Sequence, residues 1–209
     1  MMNADEQESG WRGSREGWLE AAYSALIEGG VDAVKIMPLA SRLRLSRTSF
    51  YWFFKDRPGL LAALRERWAE RTTGPLVEAT LAYAESETEA MLNIVGCFLS
   101  DAFDSRLEFA VRSWALQDSE VMADLHRADA ERLEALGRLL ARWGHAPLDA
   151  DVRARTVYLV QIGYISMQAQ ETVATRLERI PHYVEIYTGR RPPENEMARF
   201  LAQVDAGQA

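Results

Sequence analysis

The sequence is poor in residues that build covalent or metal-held frameworks. Cys97 is its single cysteine among 209 residues. One thiol excludes an intramolecular disulfide and a cysteine-based metal cluster. The histidines, His126, His145 and His182, have no short ligand spacing to one another or to Cys97, so no metal site is expected. A Gly-rich phosphate loop and a nucleophile elbow are both missing, and no catalytic residue and no cofactor is expected. No stretch reaches the roughly 18 uninterrupted apolar residues of a membrane span. The opening MMNADEQESG has neither the basic start nor the apolar middle of a signal peptide, which makes the cytoplasm the expected compartment. Internal repeats, low-complexity tracts and Asn-Gly or Asp-Gly hairpin signals are lacking too.

Hydrophobic residues make up 48% of the chain, enough for a sizeable core. Cations are outnumbered, 24 Lys and Arg against 31 Asp and Glu, for a net charge of −7. The deficit is uneven. Between 36 and 57 stand Arg42, Arg44, Arg47, Lys55 and Arg57 against Asp56 alone, a local +4. A small basic patch on an acidic body suits one localised anionic partner.

Helical periodicity runs nearly end to end, so the fold class is all-α. Ser14 is an N-cap for a first helix that stops at Gly29-Gly30, with Trp18, Ala22, Ala25 and Leu26 on one face. A short helix at 37–43 carries Pro38 in its first turn. After a turn at Arg44-Leu45, Ser46 caps a third helix to about 54. A fourth enters through Pro58 and is expected to stop before Thr73-Gly74-Pro75. Longer helices follow at 87–103, 105–117 and 119–143. Asp149 is the expected cap of another, reaching 175. Pro181 and the 189–193 loop delimit two short last helices. The expected domains are a disordered arm at 1–13, a helix-turn-helix at 14–56, and a larger helical domain at 57–209.

The third helix opens with SRTSFYWFF. At about 100° per residue, Phe50, Phe53 and Phe54 share an apolar side. Arg47, Thr48, Tyr51, Trp52 and Lys55 form an outer arc. Arg and Lys reach guanine edges or phosphates, Tyr and Trp donate to phosphate oxygens, and a Thr methyl meets a thymine methyl. Two short helices around a tight turn, the second with such a face, make a helix-turn-helix.

The segment LASRLRLSRTSFYWFFKDRPGLLAAL resembles the DNA-binding signature of the tetracycline-repressor (TetR) family of one-component regulators. The likeness covers about 14–68 and includes AAYSALIEGG, Leu39-Ala40, Ser46-Arg47, Phe50-Tyr51, Phe54, Lys55 and Leu60-Leu61. It implies a homodimeric repressor of double-stranded operator DNA, released when a small molecule enters the C-terminal domain. By position it implies base contacts from Arg47, Thr48 and Ser49, and phosphate contacts from Tyr51 and Trp52. Arg57 stands where a phosphate-touching lysine is frequent. Lys35 stands where a Thr or Ser commonly caps the second helix and contacts backbone. Three positions depart from the pattern. Arg44 replaces a turn glycine and is expected to carry backbone strain. Thr48 replaces a glycine, and Phe53 a frequent histidine.

The C-terminal part dictates no chemistry. Met91, Phe98, Phe103, Trp114, Met122, His126, Tyr158, Gln161, Ile162 and Tyr164 combine large rings with a few polar tips, suited to an apolar or aromatic effector. The same residues suit a solid core. The homodimer is expected through the helix at 152–175, with small Gly163, Ser166 and Ala169, and through the last helices around 186–204. An enzyme would need a convergent acid, base or metal set. A helical protein-interaction module would leave the +4 patch without a role.

Overall fold

The computed structural model describes residues 13–206. The expected disordered arm at 1–13 lies, apart from Gly13, outside the described residues. Ten α-helices and one 3-10 turn account for the regular structure, and the described residues contain no strand. They are α1 (Arg15–Gly29), the turn Val31–Ala33, α2 (Ile36–Leu43), α3 (Arg47–Phe50), α4 (Arg57–Leu81), α5 (Glu87–Leu99), α6 (Ser105–Ala115), α7 (Ser119–Arg142), α8 (Pro147–Ser166), α9 (Val173–Thr188) and α10 (Glu194–Ala206). No helix among the described residues is long and apolar enough to cross a membrane.

Packing groups the chain into two units. One runs to Trp68 and takes in Arg106–Met122; the other takes in Ala69–Ser105 and the chain from Ala123 on.

In the first unit the expected caps are present. The Ser14 hydroxyl accepts from the Gly17 N–H at 3.0 Å, and Gly30 ends α1 at φ 72°. A cap of this kind is worth about 1 kcal/mol. Trp18, Ala22, Ala25 and Leu26 are buried, as their spacing requires. Lys35 precedes α2 without a side-chain cap, and Arg44 ends α2 in the left-handed region at φ 56°, ψ 37°. A side chain there costs about 1 kcal/mol. The cost is offset locally, because the Leu45 N–H donates to the Ala40 carbonyl at 2.9 Å.

The third helix is shorter than its sequence suggests. Ser46 caps α3, accepting from the Ser49 N–H at 3.3 Å. After Phe50 the bonds tighten to a three-residue step: Tyr51 N–H to Thr48 O at 3.2 Å, then Trp52 N–H to Ser49 O at 3.3 Å. A tighter turn advances each residue by more than an α-helix does. Phe50 is buried, edge-on to Trp18 at 5.3 Å and stacked on Phe54 at 5.5 Å. Phe53, expected beside them, is only half-buried.

α4 corrects the expected stop at Thr73-Gly74-Pro75, for it runs unbroken to Leu81. Proline has no N–H, so Pro75 leaves the carbonyl four residues back, that of Arg71, without its helical donor. The Asp104 N–H fills that place at 2.9 Å, and the Asp104 carboxylate stands 3.7 Å from the Arg71 guanidinium. With the orphaned acceptor satisfied, the helix continues.

The second unit has one apolar core. α5 contributes Met91, Ile94, Val95 and Phe98; α7 gives Leu136, Leu139 and Leu140; α8 gives Val157 and Tyr158. Ile180, Val184 and Tyr187 of α9 and Phe200 of α10 complete it. Each fully buried large side chain stabilises by roughly 1.5–3 kcal/mol. Two further boundaries are corrected. α8 begins at Pro147 behind Ala146, and Asp149, the expected cap, sits in its first turn bound to His145 and Arg153. The helix expected to reach 175 stops at Ser166. A new one starts behind Thr172, whose hydroxyl accepts from the Thr175 N–H at 3.1 Å, and it carries Pro181 within it.

Candidate nucleic-acid interface

The short length of α3 decides what its face presents. Arg47 and Thr48 occupy the first turn and are exposed. Tyr51 and Trp52, in the tightened turn that follows, are 47% and 64% exposed. Lys55 is exposed one residue beyond the buried Phe54. Rings this large are normally withdrawn from water, and here both stand exposed beside two cations. The Arg47 guanidinium donates to the Tyr51 hydroxyl at 3.0 Å and lies 5.8 Å from the ring centroid. The pair holds a charge and a hydroxyl in one place.

Two expected DNA contacts are corrected by the geometry. Ser49 is 5% exposed; its hydroxyl donates to the Ser46 carbonyl at 2.8 Å, so it faces into the domain. Arg57 is half-buried. Its Nε donates to the Val34 carbonyl at 2.6 Å and its Nη2 to the Val31 carbonyl at 2.7 Å. The guanidinium thus fastens the loop ahead of α2 onto the start of α4. Lys35 is exposed at the head of α2.

The basic patch is also smaller than its sequence count. Arg42 makes a two-pronged ion pair with Glu28 of α1, at 2.8 and 2.9 Å. That hydrogen bond, before any other influence, holds the Glu28 carboxyl below its ordinary pKa. With Arg42 and Arg57 occupied, the exposed cations are Lys35, Arg44, Arg47 and Lys55. Arg44, counted in the basic patch and as a strained turn residue, is exposed at the turn.

The residues expected to line an effector site are dispersed. Met91, Phe98, Phe103, Tyr158, Gln161 and Ile162 are buried in the second unit, where all but the polar Gln161 belong to the apolar cluster. Tyr164 is half-buried and shares a 3.0 Å hydrogen bond with the Tyr183 hydroxyl. Trp114, buried, and Met122, half-buried, fall in the first unit. His126 is exposed and lines a groove of about 790 Å³ in the second unit, between α7 and the start of α8. Leu133, Gly137, Ala141 and Ala150 line it as well.

Sequence reasoning missed the polar centre of the second unit. Arg132 of α7 is fully buried. It donates to Tyr158 and Thr72 at 2.8 Å and to Thr73 at 3.0 Å, and lies 5.5 Å from the Phe103 centroid. The Tyr158 hydroxyl donates onward to Asp129 at 2.6 Å. The signal was present: Arg132 falls on the stripe of Leu125, Ala128, Leu136 and Leu139, where an apolar residue is the rule.

The comparisons agree with this geometry. Residues 19–64 match the family model described as bacterial regulatory proteins, tetR family. No curated protein matches the sequence significantly. Among solved structures, a transcriptional regulator from Aquifex aeolicus VF5, described as of the TerR/AcrR family, aligns at TM-score 0.59 and 15% identity. The alignment covers 85% of this chain and 96% of that one. A regulator described as TetR-family, from Mesorhizobium loti MAFF303099, aligns at TM-score 0.59 and 12% identity, over 90% of this chain and 95% of that one. A transcriptional regulator from Rhodococcus sp. Rha1 gives 0.54 and 17%, over 91% and 97%. Identities this low speak for the fold, and the match at 19–64 speaks for the sequence. Residues 19–64 thus match the tetR-family model across the helix-turn-helix, and the solved transcriptional regulators share the all-α fold of the whole chain.

Proposed function

We propose that the chain acts in the cytoplasm as a homodimeric repressor, released from its operator by an apolar or aromatic small molecule. The observation that carries the DNA contact is the exposed group Arg47, Thr48, Tyr51, Trp52 and Lys55 on an otherwise acidic chain. Arg47 and Thr48 meet base edges. Tyr51, Trp52, Lys55, Lys35 and Arg44 meet phosphates, which position the protein on the duplex. Ser49 and Arg57 serve the domain itself.

Two copies are needed because a helix-turn-helix reads half-sites about one helical turn apart. The dimer surface of this reading is the outer side of α8 with α9. Leu148, Val152 and Leu159 repeat there at helical spacing, 77%, 53% and 62% exposed, and Ile186 of α9 is 65% exposed. Apolar side chains repeated this way support an interface. The effector domain of this reading is 57–209, with the buried rings around Phe98, Phe103 and Tyr158 as the part a ligand would part or rearrange.

A gel shift with DNA flanking the chain's own coding region tests the core of the proposal, and a retarded band that disappears at high salt is expected. No shift at micromolar protein would overturn it. Sedimentation should give a dimer, and a monomer at micromolar concentration ends that part. Titration of an apolar and aromatic compound panel, followed by the emission of the six tryptophans, should reveal an effector that also releases the DNA.

A further inference from the structure

The base-reading end of α3 is small, and this narrows the DNA it can prefer. In a helix-turn-helix the first residues of the second helix meet base edges. α3 has four residues, Arg47–Phe50. Phe50 is in the core, and Ser49 is turned inward with its hydroxyl on the Ser46 carbonyl. Arg47 and Thr48 are left, both exposed. Arg47 gives one of the five guanidinium donors to Tyr51, at 3.0 Å. A fork held at one corner is oriented, yet keeps the donors that match guanine O6 and N7. Thr48 presents a methyl group, the apolar counterpart of the thymine C5-methyl.

Resting on the DNA-binding reading above, we propose that each operator half-site is read through one guanine, by Arg47, and one thymine methyl within the same few base pairs, by Thr48. Tyr51 is the positioning residue that holds the Arg47 fork. Discrimination is concentrated in these two base pairs. Among the described residues, the other contacts of this reading grip phosphate and carry no direct sequence preference.

The full chain is used to select from random-sequence duplexes. The enriched half-site is then rebuilt with 7-deazaguanine at each guanine, which removes N7, and with deoxyuridine at each thymine, which removes the methyl. For the native chain, one 7-deazaguanine position is expected to weaken binding by about tenfold. One deoxyuridine position should weaken it by about fourfold, the worth of a buried methyl. The first penalty disappears in Arg47→Ala, the second in Thr48→Ser, and the first shrinks in Tyr51→Phe. All three residues are exposed, and unchanged melting temperatures verify that the variants fold. If no sequence is enriched, the DNA-binding reading itself falls. If a half-site is enriched but the guanine penalty persists in Arg47→Ala, or no guanine gives one, the Arg47 assignment falls while DNA binding stands. A thymine penalty that persists in Thr48→Ser removes Thr48. A full guanine penalty in Tyr51→Phe removes the positioning role.

Discussion

Arg47 and Arg132 put the same chemical group to opposite uses. In the first unit Arg47 is exposed and tethered at one corner by Tyr51. In the second, Arg132 is fully enclosed and holds Thr72, Thr73 and Tyr158 together. A guanidinium with donors left for solvent is available to a partner. One surrounded by hydroxyls organises the protein around itself. Arg57 belongs with the second kind although its position in the sequence suggests the first, because two backbone carbonyls hold it.

The largest effect should come from the interior. Arg132→Ala would remove the donor shared by Thr72, Thr73 and Tyr158 and take away the guanidinium beside Asp129. We expect a loss of roughly 3 kcal/mol or more in denaturant unfolding. Arg132→Met, which fills the space, should lose less. A loss below about 0.5 kcal/mol, the range of ordinary surface changes, would mean that the network does not organise this core.

Arg57→Ala should cost about 1.5–3 kcal/mol of stability, the worth of hydrogen bonds from a charged donor. It should leave the salt dependence of operator binding unchanged. A slope reduced by about one would return Arg57 to the phosphate-binding set and blur the contrast with Arg47.

Tyr51→Ala combined with Lys55→Ala should behave in the reverse way. Unfolding should stay within about 0.5 kcal/mol of the native chain. Operator binding should weaken, and its salt slope should fall by about 0.9 for each phosphate that is no longer neutralised. An operator affinity that does not change would remove this face from the interface.

The smallest effect concerns pH and lies in the second unit. His145 presents Nε2 to Glu87 at 2.5 Å and Nδ1 to Asp149 at 2.6 Å, and Arg153 binds Asp149 at 2.9 Å. Burial acts to lower the His145 pKa, but the hydrogen bonds that the protonated ring donates to Glu87 and Asp149 outweigh it and the net shift is upward. Unfolding returns the ring to its ordinary value of 6.5. The stabilisation is therefore fully present below about pH 6.5 and is lost as pH rises through the higher folded value. Denaturant midpoints measured from about pH 6 to 9 should fall for the native chain. If His145→Gln shows the same fall, another group is responsible.

Local chemistry was readable in the sequence wherever one residue decides the outcome. Ser14 and Ser46 cap the helices they precede, Gly30 stops α1, and Arg44 takes the left-handed conformation expected of it. The exposure of Tyr51 and Trp52 also agrees with their place on the wheel, even though the helix ends before them. Ser49 and Arg57 were misplaced for another reason. Their partners are the Ser46 carbonyl and the Val31 and Val34 carbonyls, and a residue-by-residue likeness carries no such information. The ligand-site residues show a third limit. An apolar ring fits a cavity wall and a core equally well, and only packing assigned Met91, Phe98 and Phe103 to the core.

The hydrogen bond that lets α4 pass through Pro75 has a consequence for exchange with solvent. The Asp104 amide lies outside any helix, between α5 and α6, where amides ordinarily trade their hydrogen for deuterium quickly. Its acceptor is a carbonyl of α4, so its hydrogen leaves only when that bond opens. One slow amide in an irregular segment would report on how often a helix comes apart at its own proline.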